Sequence, residues 1–196
     1  FFQDIRIYDV SDVENPRRLQ IPAEVEAHMR MLAQSIWLES KILYVLRTPS
    51  FGICHLHVID VSDLGNLRVL ASIDAAQSHT FRKQGDRIYI AFGNPQSFDA
   101  GLQVINVADP SKPFVEATYG PLSSYLETGI SVAVYGNAIY ALRSEKFTYR
   151  SWIQVHDRRD LAAAPIVVDL PQWANSMAVG ANLLFITQGA VGVEVF

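Results

Sequence analysis

One cysteine, Cys54, stands among 196 residues, so an intramolecular disulfide framework and a cysteine-based structural zinc site are both excluded. Positive charge is not in surplus either: Lys and Arg number 16 against 20 Asp and Glu, a formal net charge of -4. That balance disfavours generic phosphate gripping and hence nucleic-acid binding. No apolar run reaches the ~20 residues that a membrane-spanning helix requires. The sequence has no phosphate-binding Gly-rich loop, no G-x-S-x-G, no H-E-x-x-H and no Cys/His pair in a recognisable context, which leaves a hydrolase without motif support. An apolar period near 3.6 is missing outside Glu24 to Leu32, against a helical solenoid. The first residue is Phe1 rather than Met and no charged-then-apolar leader precedes the repeats, so a processed or trimmed start is expected. What the chain does have is apolar material: 49% hydrophobic against 18% charged, sufficient for one sizeable core or a repeat array and against disorder.

Internal repetition decides the architecture. IRIYDVSD (Ile5 to Asp12), LHVIDVSD (Leu56 to Asp63), LQVINVAD (Leu102 to Asp109) and IQVHDRRD (Ile153 to Asp160) align without gaps, and VEVF from Val193 begins a fifth copy; the spacings are 51, 46, 51 and 40 residues. Each copy alternates apolar and polar residues, the pattern of a strand with two unlike faces. A turn built from Asp and often Pro follows (DVENP, DLGNL, DPSKP, DLAAAP), in which the short carboxylate accepts hydrogen bonds from the following amides. RRLQI, LRVLASI, PFVEATY and PIVVDL then supply a second strand.

A hairpin provides the third and fourth strands. Its clearest copy is ISVAVYGNAIYAL around Gly136-Asn137; the counterparts turn at Gly85-Asp86, at Gly180 to Asn182 and, less obviously, at Glu39-Ser40. Tyr44, Tyr89, Tyr140 and Phe185 fall in one column after that turn. Four antiparallel strands repeated every 40 to 50 residues define an all-β fold, a β-propeller of four-stranded blades spanning residues 1–196 as one domain. A β-sandwich is the alternative, but does not require the same phrase to return at near-constant intervals.

At these phrases the sequence resembles the LVIVD-repeat family of β-propellers, most closely in LHVIDVSD and LQVINVADPSKP. IQVHDRRD keeps the two Asp residues and loses the middle. The resemblance implies fold more than chemistry, together with an exported or cell-surface setting and a binding or scaffolding role. Counted in the family's order, inner strand A to outer strand D, the chain reads C-D, three complete A-B-C-D blades, then A-B-C. That count leads us to expect the last four-and-a-half blades of a larger propeller, with missing blades or a second chain as partner; a closed four-bladed ring is the competing expectation.

Function in a propeller sits on loops and on the inner strands that face the central channel. Aligning the inner strands gives a column of Gln34, His79, Ile130 and Asn175, followed by Ser35, Thr80, Ser131 and Ser176, hydroxylic in every copy. Small hydroxyls fit a crowded axis and cap backbone groups; they also form a polar ring able to hold an ion or small ligand. The preceding loops carry Glu24, Glu26 and His28, then Asp74 and Gln77, then Tyr125 and Glu127, then Gln172 and Trp173. Carboxylates with Asn or Gln carbonyls suit a hard cation, so Ca²⁺ is a candidate, although no cofactor is predicted outright. His55 and His57 share a strand face as a weak metal pair, whereas His156 lies in a column with Tyr8, Ile59, Ile105 and Phe196 and reads as packed between blades. The recurring Asp pairs read as turn structure, because a site is needed once and a turn in every blade. Tyr119, Tyr125, Phe147, Tyr149, Trp152 and Trp173 supply material for an aromatic patch.

These residues favour a noncatalytic binding or scaffolding module that recognises a protein or glycan through loops on one face. The ligand-binding candidates are Gln34, His79, Asn175, Ser35, Thr80, Ser131, Ser176, Glu127 and Trp173. The rival is a metal-dependent hydrolase or lactonase-like enzyme at the channel mouth, using His79 and Asn175 with carboxylates from Glu24, Asp74 or Glu127.

Overall fold

The computed structural model describes residues 6–29, 33–47, 54–94, 99–120, 127–145, 148–188 and 192–195. Among the described residues, seventeen strands and one short helix make an all-β protein of the propeller type. The element order reproduces the strand count read from the repeats. β1 (Tyr8–Asp9) and β2 (Arg17–Arg18) pair as a two-stranded sheet and are followed by α1 (Ala23–Met29). Three complete blades come next: β3 (Ala33–Glu39), β4 (Ile42–Arg47), β5 (Cys54–Asp60) and β6 (Arg68–Ala75); then β7 (Arg82–Gln84), β8 (Arg87–Asn94), β9 (Asp99–Asn106) and β10 (Phe114–Tyr119); then β11 (Glu127–Tyr135), β12 (Ala138–Glu145), β13 (Ser151–Asp157) and β14 (Ile166–Leu170). β15 (Ala174–Gly180), β16 (Leu183–Gln188) and β17 (Gly192–Val195) form a three-stranded sheet. Each is an antiparallel meander in chain order.

Turn chemistry accounts for the meander. Ser40 and Lys41 (φ 49° and 66°) and Ala181 and Asn182 (φ 51° and 64°) all adopt the left-handed conformation that a two-residue hairpin needs, so the first hairpin turns one residue later than its sequence suggests. At the other end of the blades the phrase Asp acts as expected. The side-chain oxygens of Asp9, Asp60, Asn106 and Asp157 each accept from the backbone N–H two residues on, at 2.8–3.0 Å. Asp12, Asp63 and Asp109 repeat the motif within the turn. Asp9 and Asp60 also receive an arginine eight residues later, Arg17 at 3.1 Å and Arg68 at 3.2 Å. In the next copy Glu116 takes the role, bound bidentately by Arg87 and contacted by Asn106.

By contact the chain separates into two compact units, Phe1–Ala75 with Asp109–Pro113, and Ala76–Ala108 with Phe114–Phe196. In the first, Val25 of α1 is fully buried against Leu43, Val45, Ile59 and Leu67, which fixes the only α-helix among the described residues. Helicity there resolves the ambiguous periodicity from Glu24 onward.

In the second unit β11 packs against both β8 and β15, so three sheets follow one another. The seam between the β7–β10 and β11–β14 sheets is filled by Tyr89, Leu102, Val104, Val132, Ile139 and Ala141. Each end of the seam carries an arginine. Arg143, with 0% of its surface exposed, donates Nε to Gln154 Oε1 at 3.0 Å, while its terminal nitrogens donate to Phe92 O and Gly101 O, both at 2.5 Å. Arg158 donates to Tyr89 Oη at 3.1 Å and to Gly136 O at 2.8 Å, its guanidinium 5.8 Å from the Tyr89 ring centre. Gly129 permits the close approach, since a Cβ there would overlap the Ala91 carbonyl oxygen of the adjacent sheet; within the β7–β10 sheet, Gly101 likewise leaves no room for a Cβ beside the Tyr119 carbonyl oxygen. Arg143→Met is expected to cost about 3 kcal/mol by leaving buried acceptors unmet. Gly129→Ala is expected to cost at least as much, since backbone cannot give way as a flexible side chain does. Urea unfolding of both variants, followed by far-UV circular dichroism, measures this.

Candidate functional site

The hydroxylic column has a specific backbone cause. The inner strands β3, β11 and β15 each change register against their neighbours at one residue, between Ala33 and Ser35, between Gly129 and Ser131, and between Ala174 and Ser176. The skipped residues are Gln34, Ile130 and Asn175, the column singled out in the sequence. Each is the extra residue of a β-bulge, a device that re-aims a side chain and ends regular pairing. Ser35, Ser131 and Ser176 resume the ladder opposite Leu46, Leu142 and Thr187. Gln34 and Ser35 are half-buried in the first unit; Ser131 is half-buried, and Asn175 and Ser176 exposed, in the second.

The β7 copy differs. β7 starts only at Arg82, so His79 and Thr80 lie in the link before it, His79 exposed and Thr80 half-buried. Ser78 does the structural work there. Its buried hydroxyl lies 2.8 Å from Ala91 O and 2.9 Å from Thr80 O and shares its single proton between these two acceptors, tying the link to β8. Backbone capping is therefore one demonstrated use of a hydroxyl at this level of a blade.

The links entering the inner strands are themselves anchored from the third strand. Gln103 Oε1 accepts from Ala76 N at 2.8 Å, and Ser151 Oγ accepts from Ala174 N at 3.0 Å. Beside the second anchor stand two of the predicted aromatics. Trp173, 41% exposed, meets Tyr149, 66% exposed, edge to face with ring centres 6.1 Å apart and planes at 78°. They come from the loop joining β12 to β13 and the link joining β14 to β15, both at the end of the sheet where inner strands begin. Tyr149 holds a left-handed φ of 55°, fixed by its N–H on Glu145 O at 3.1 Å and by Glu145 N on Arg150 O at 2.9 Å. The Thr148 hydroxyl donates to the Glu145 carboxylate at 2.5 Å, and Arg150 lies 3.6 Å from Asp169 across the neighbouring strand pair.

Other predicted residues are placed without forming a cluster. Glu127 opens β11 opposite Glu145. Glu24 and Glu26 lie on α1, exposed and half-buried. Asp74 pairs with His55 at 3.0 Å, while the His55 and His57 rings stand 6.1 Å apart. Tyr125 and Phe147 lie outside the described residues. Among the described residues no three His, Cys, Asp or Glu side chains gather as metal ligands, and no helix is long and apolar enough to cross a membrane.

Two groups carry electrostatics that the sequence reading passed over or treated as packing. Arg143 breaks the apolar run of β12, and that break was the available signal. His156 is 2% exposed, as its apolar column suggests; burial first, and the Arg143 charge second, lower its pKa to about 4. Asp157 beside it is held near 2, chiefly by side-chain hydrogen bonding to Arg159.

No protein-family model matches the chain, and no curated protein does. Similar folds occur in solved structures. The computationally designed Ika4 protein is 12% identical over 84% of this chain and 89% of its own, with a TM-score of 0.57. A protein of Bacteroides uniformis assigned as a 6-phosphogluconolactonase is 12% identical over 93% of this chain, with a TM-score of 0.64. A chain of a nidogen/laminin complex is 11% identical over 89% of this chain, with a TM-score of 0.57. The present chain spans 56% of the Bacteroides protein and 60% of the nidogen/laminin chain. At these identities the likeness is one of fold, and the fold is the β-propeller.

The His156 shift has a definite sign. Below the ordinary histidine range the unfolded chain takes up a proton that the folded chain refuses, so stability is whole above about pH 6.5 and is lost as pH falls toward 4. His156→Phe should flatten that loss. Urea midpoints of both proteins at pH 7, 6, 5 and 4.5 measure the difference, which cancels the other histidines.

Proposed function

We propose that this propeller is a noncatalytic binding module of an exported or cell-surface protein, with its recognition surface at the loop end where the inner strands begin. The Tyr149–Trp173 pair carries this reading. Two large aromatics held half-exposed, from loops whose backbones are tied to β12 and β13, lose little side-chain freedom on binding and offer both apolar faces and polar edges. A non-glycine residue held at positive φ costs free energy, and such strain gathers at ligand-contacting positions. Arg150, next to Tyr149 in the chain, pairs with Asp169 at 3.6 Å, and both side chains are exposed, adding hydrogen-bonding groups of both signs to this end of the sheet. A glycan ring stacked on Trp173, or a peptide segment laid across both rings, uses these groups in the same way. The LVIVD resemblance supports the extracellular setting and the binding role.

The exposed bulge residue Asn175 and its neighbour Ser176 lie just beyond Trp173, after the buried Ala174, and extend this surface along β15. His79 and Glu127 stand at the same end of their own sheets, and together with Asn175 they are the positions where the rival metal-dependent hydrolase would place its ligands. Wild-type protein on glycan and peptide arrays should retain discrete binders, and Trp173→Ala and Tyr149→Ala should each weaken them by about tenfold, the loss of one well-placed aromatic contact. Both variants should unfold at the wild-type urea midpoint. Metal-dependent turnover of lactones or esters that is lost in His79→Ala or Asn175→Ala would replace this reading with the enzymatic one.

A further inference from the structure

A cleft lies at the opposite end of the sheets from the Tyr149–Trp173 pair, and the repeat itself shows what fills such a place. It measures about 390 Å³ and opens between the β11–β14 and β15–β17 sheets, with Tyr140, Ile153 and Val155 on one wall and Val179 and Leu184 on the other. By strand register these are the counterparts of Tyr89, Leu102, Val104, Val134 and Ile139, which fill the preceding seam. That seam is closed from the β13–β14 turn. Leu161 packs against its apolar residues, and Arg158 crosses to the neighbouring sheet. The Arg158 guanidinium donates to Tyr89 Oη at 3.1 Å, Gln84 Oε1 at 3.3 Å and Gly136 O at 2.8 Å, and stands 5.8 Å from the Tyr89 ring centre. Among the described residues no such turn follows β17, and no cation stands over Tyr140 as Arg158 does over Tyr89. Val168, which faces Ile153 as Tyr119 faces Leu102, is the smaller residue and leaves the cleft wider.

We propose that this cleft is the receptor for an arginine side chain carried by an extended partner segment that lies along the edge of β17. The groups that hold Arg158 recur around it. Tyr140 offers the ring face and hydroxyl of Tyr89, Tyr135 stands in the position of Gln84, and Ala181 repeats the left-handed turn of Gly136. A guanidinium suits these groups because it is weakly hydrated and stacks on aromatic faces, while its aliphatic stem covers apolar walls. An ammonium, more strongly hydrated, loses more on entering the same space. Neutral acceptors suffice, as the half-buried Arg158 shows. The source follows from the surroundings. Among the described residues no cation or carboxylate lines the cleft, so the two charged ends of free arginine would find no counter-charge. A peptide brings backbone amides instead, and these can be met: β17 pairs only with β16, whereas the third strand of each complete blade pairs on both sides. This inference is independent of the Tyr149–Trp173 surface.

The test uses the full chain and, as probe, an acetylated and amidated peptide of residues Arg158–Leu170, the segment that closes the preceding seam. Calorimetry compares it with the same peptide carrying Arg158→Met or Arg158→Lys. The arginine peptide should bind about fivefold more tightly than the methionine form, the worth of a cation on a partly desolvated ring, with the lysine form between them. In the chain variant Tyr140→Leu the three peptides should bind alike, and their residual binding reports that the variant is folded. Tyr140→Phe, which keeps the ring, should keep most of the preference. Free L-arginine should bind at least about tenfold more weakly than the peptide, since it cannot pair with β17. Equal affinity of the arginine and methionine peptides for the wild type would overturn the proposal. So would a preference that survives Tyr140→Leu, which would mean that the peptide displaces β14 and uses Tyr89, or free arginine binding as tightly as the peptide. No binding of the arginine peptide at about 1 mM, where even a weak complex registers, would overturn it as well.

Discussion

The second unit depends on a charge placed where charge is costly. Arg143 has no exposed surface, and the removal of a guanidinium from water is repaid only when its fork of donors meets well-placed acceptors. Two of those acceptors are main-chain oxygens of the adjacent sheet, Phe92 O and Gly101 O. The arginine thus reads backbone position rather than side-chain identity. It joins β12 to a neighbour at a level where Gly129 has already removed the obstacle of a Cβ. Hydrophobic filling below it, from Tyr89 to Ala141, supplies non-directional attraction, while the arginine supplies direction. His156 belongs to the same arrangement: on the same third strand as Gln154, it is kept neutral by burial and by the cation beneath it.

Blade-level organisation was legible because it is written redundantly. The alternating phrase appears in every copy, the Asp turn follows it, and the hairpin carries its own left-handed residues, so three independent local signals agree on each meander. Where one signal was weak the boundary moved, as at Ser40–Lys41, where no glycine marks the turn. The helix at Ala23–Met29 was ambiguous for a related reason: one buried residue, Val25, fixes it to its neighbours, and a single anchor leaves little periodicity to read.

Site residues were legible as columns but not as geometry. Alignment on the hairpins identified Gln34, Ile130 and Asn175 as equivalent, and they are equivalent as bulge residues, yet a bulge adds no distinctive residue type and does not show in an apolar-polar pattern. The edge-to-face meeting of Tyr149 with Trp173 depends on two loops separated by a whole strand pair, which no local rule connects. Gln154 and His156 share a side of β13 because alternate positions of a strand do, and Thr118 and Tyr119 near them come from a different sheet. Chemistry of that kind arises from convergence, and convergence is settled by tertiary packing.

The backbone-on-backbone contact at Gly129 has a mechanical consequence. Side-chain interfaces can creep, exchanging one rotamer packing for the next under load, but a carbonyl that abuts a neighbouring main chain, as Ala91 O does at Gly129, next to two others held by one clamping cation, has no intermediate stop. A pulling force across these two sheets would therefore meet a brittle joint: stiff up to a threshold, then parting in a single event.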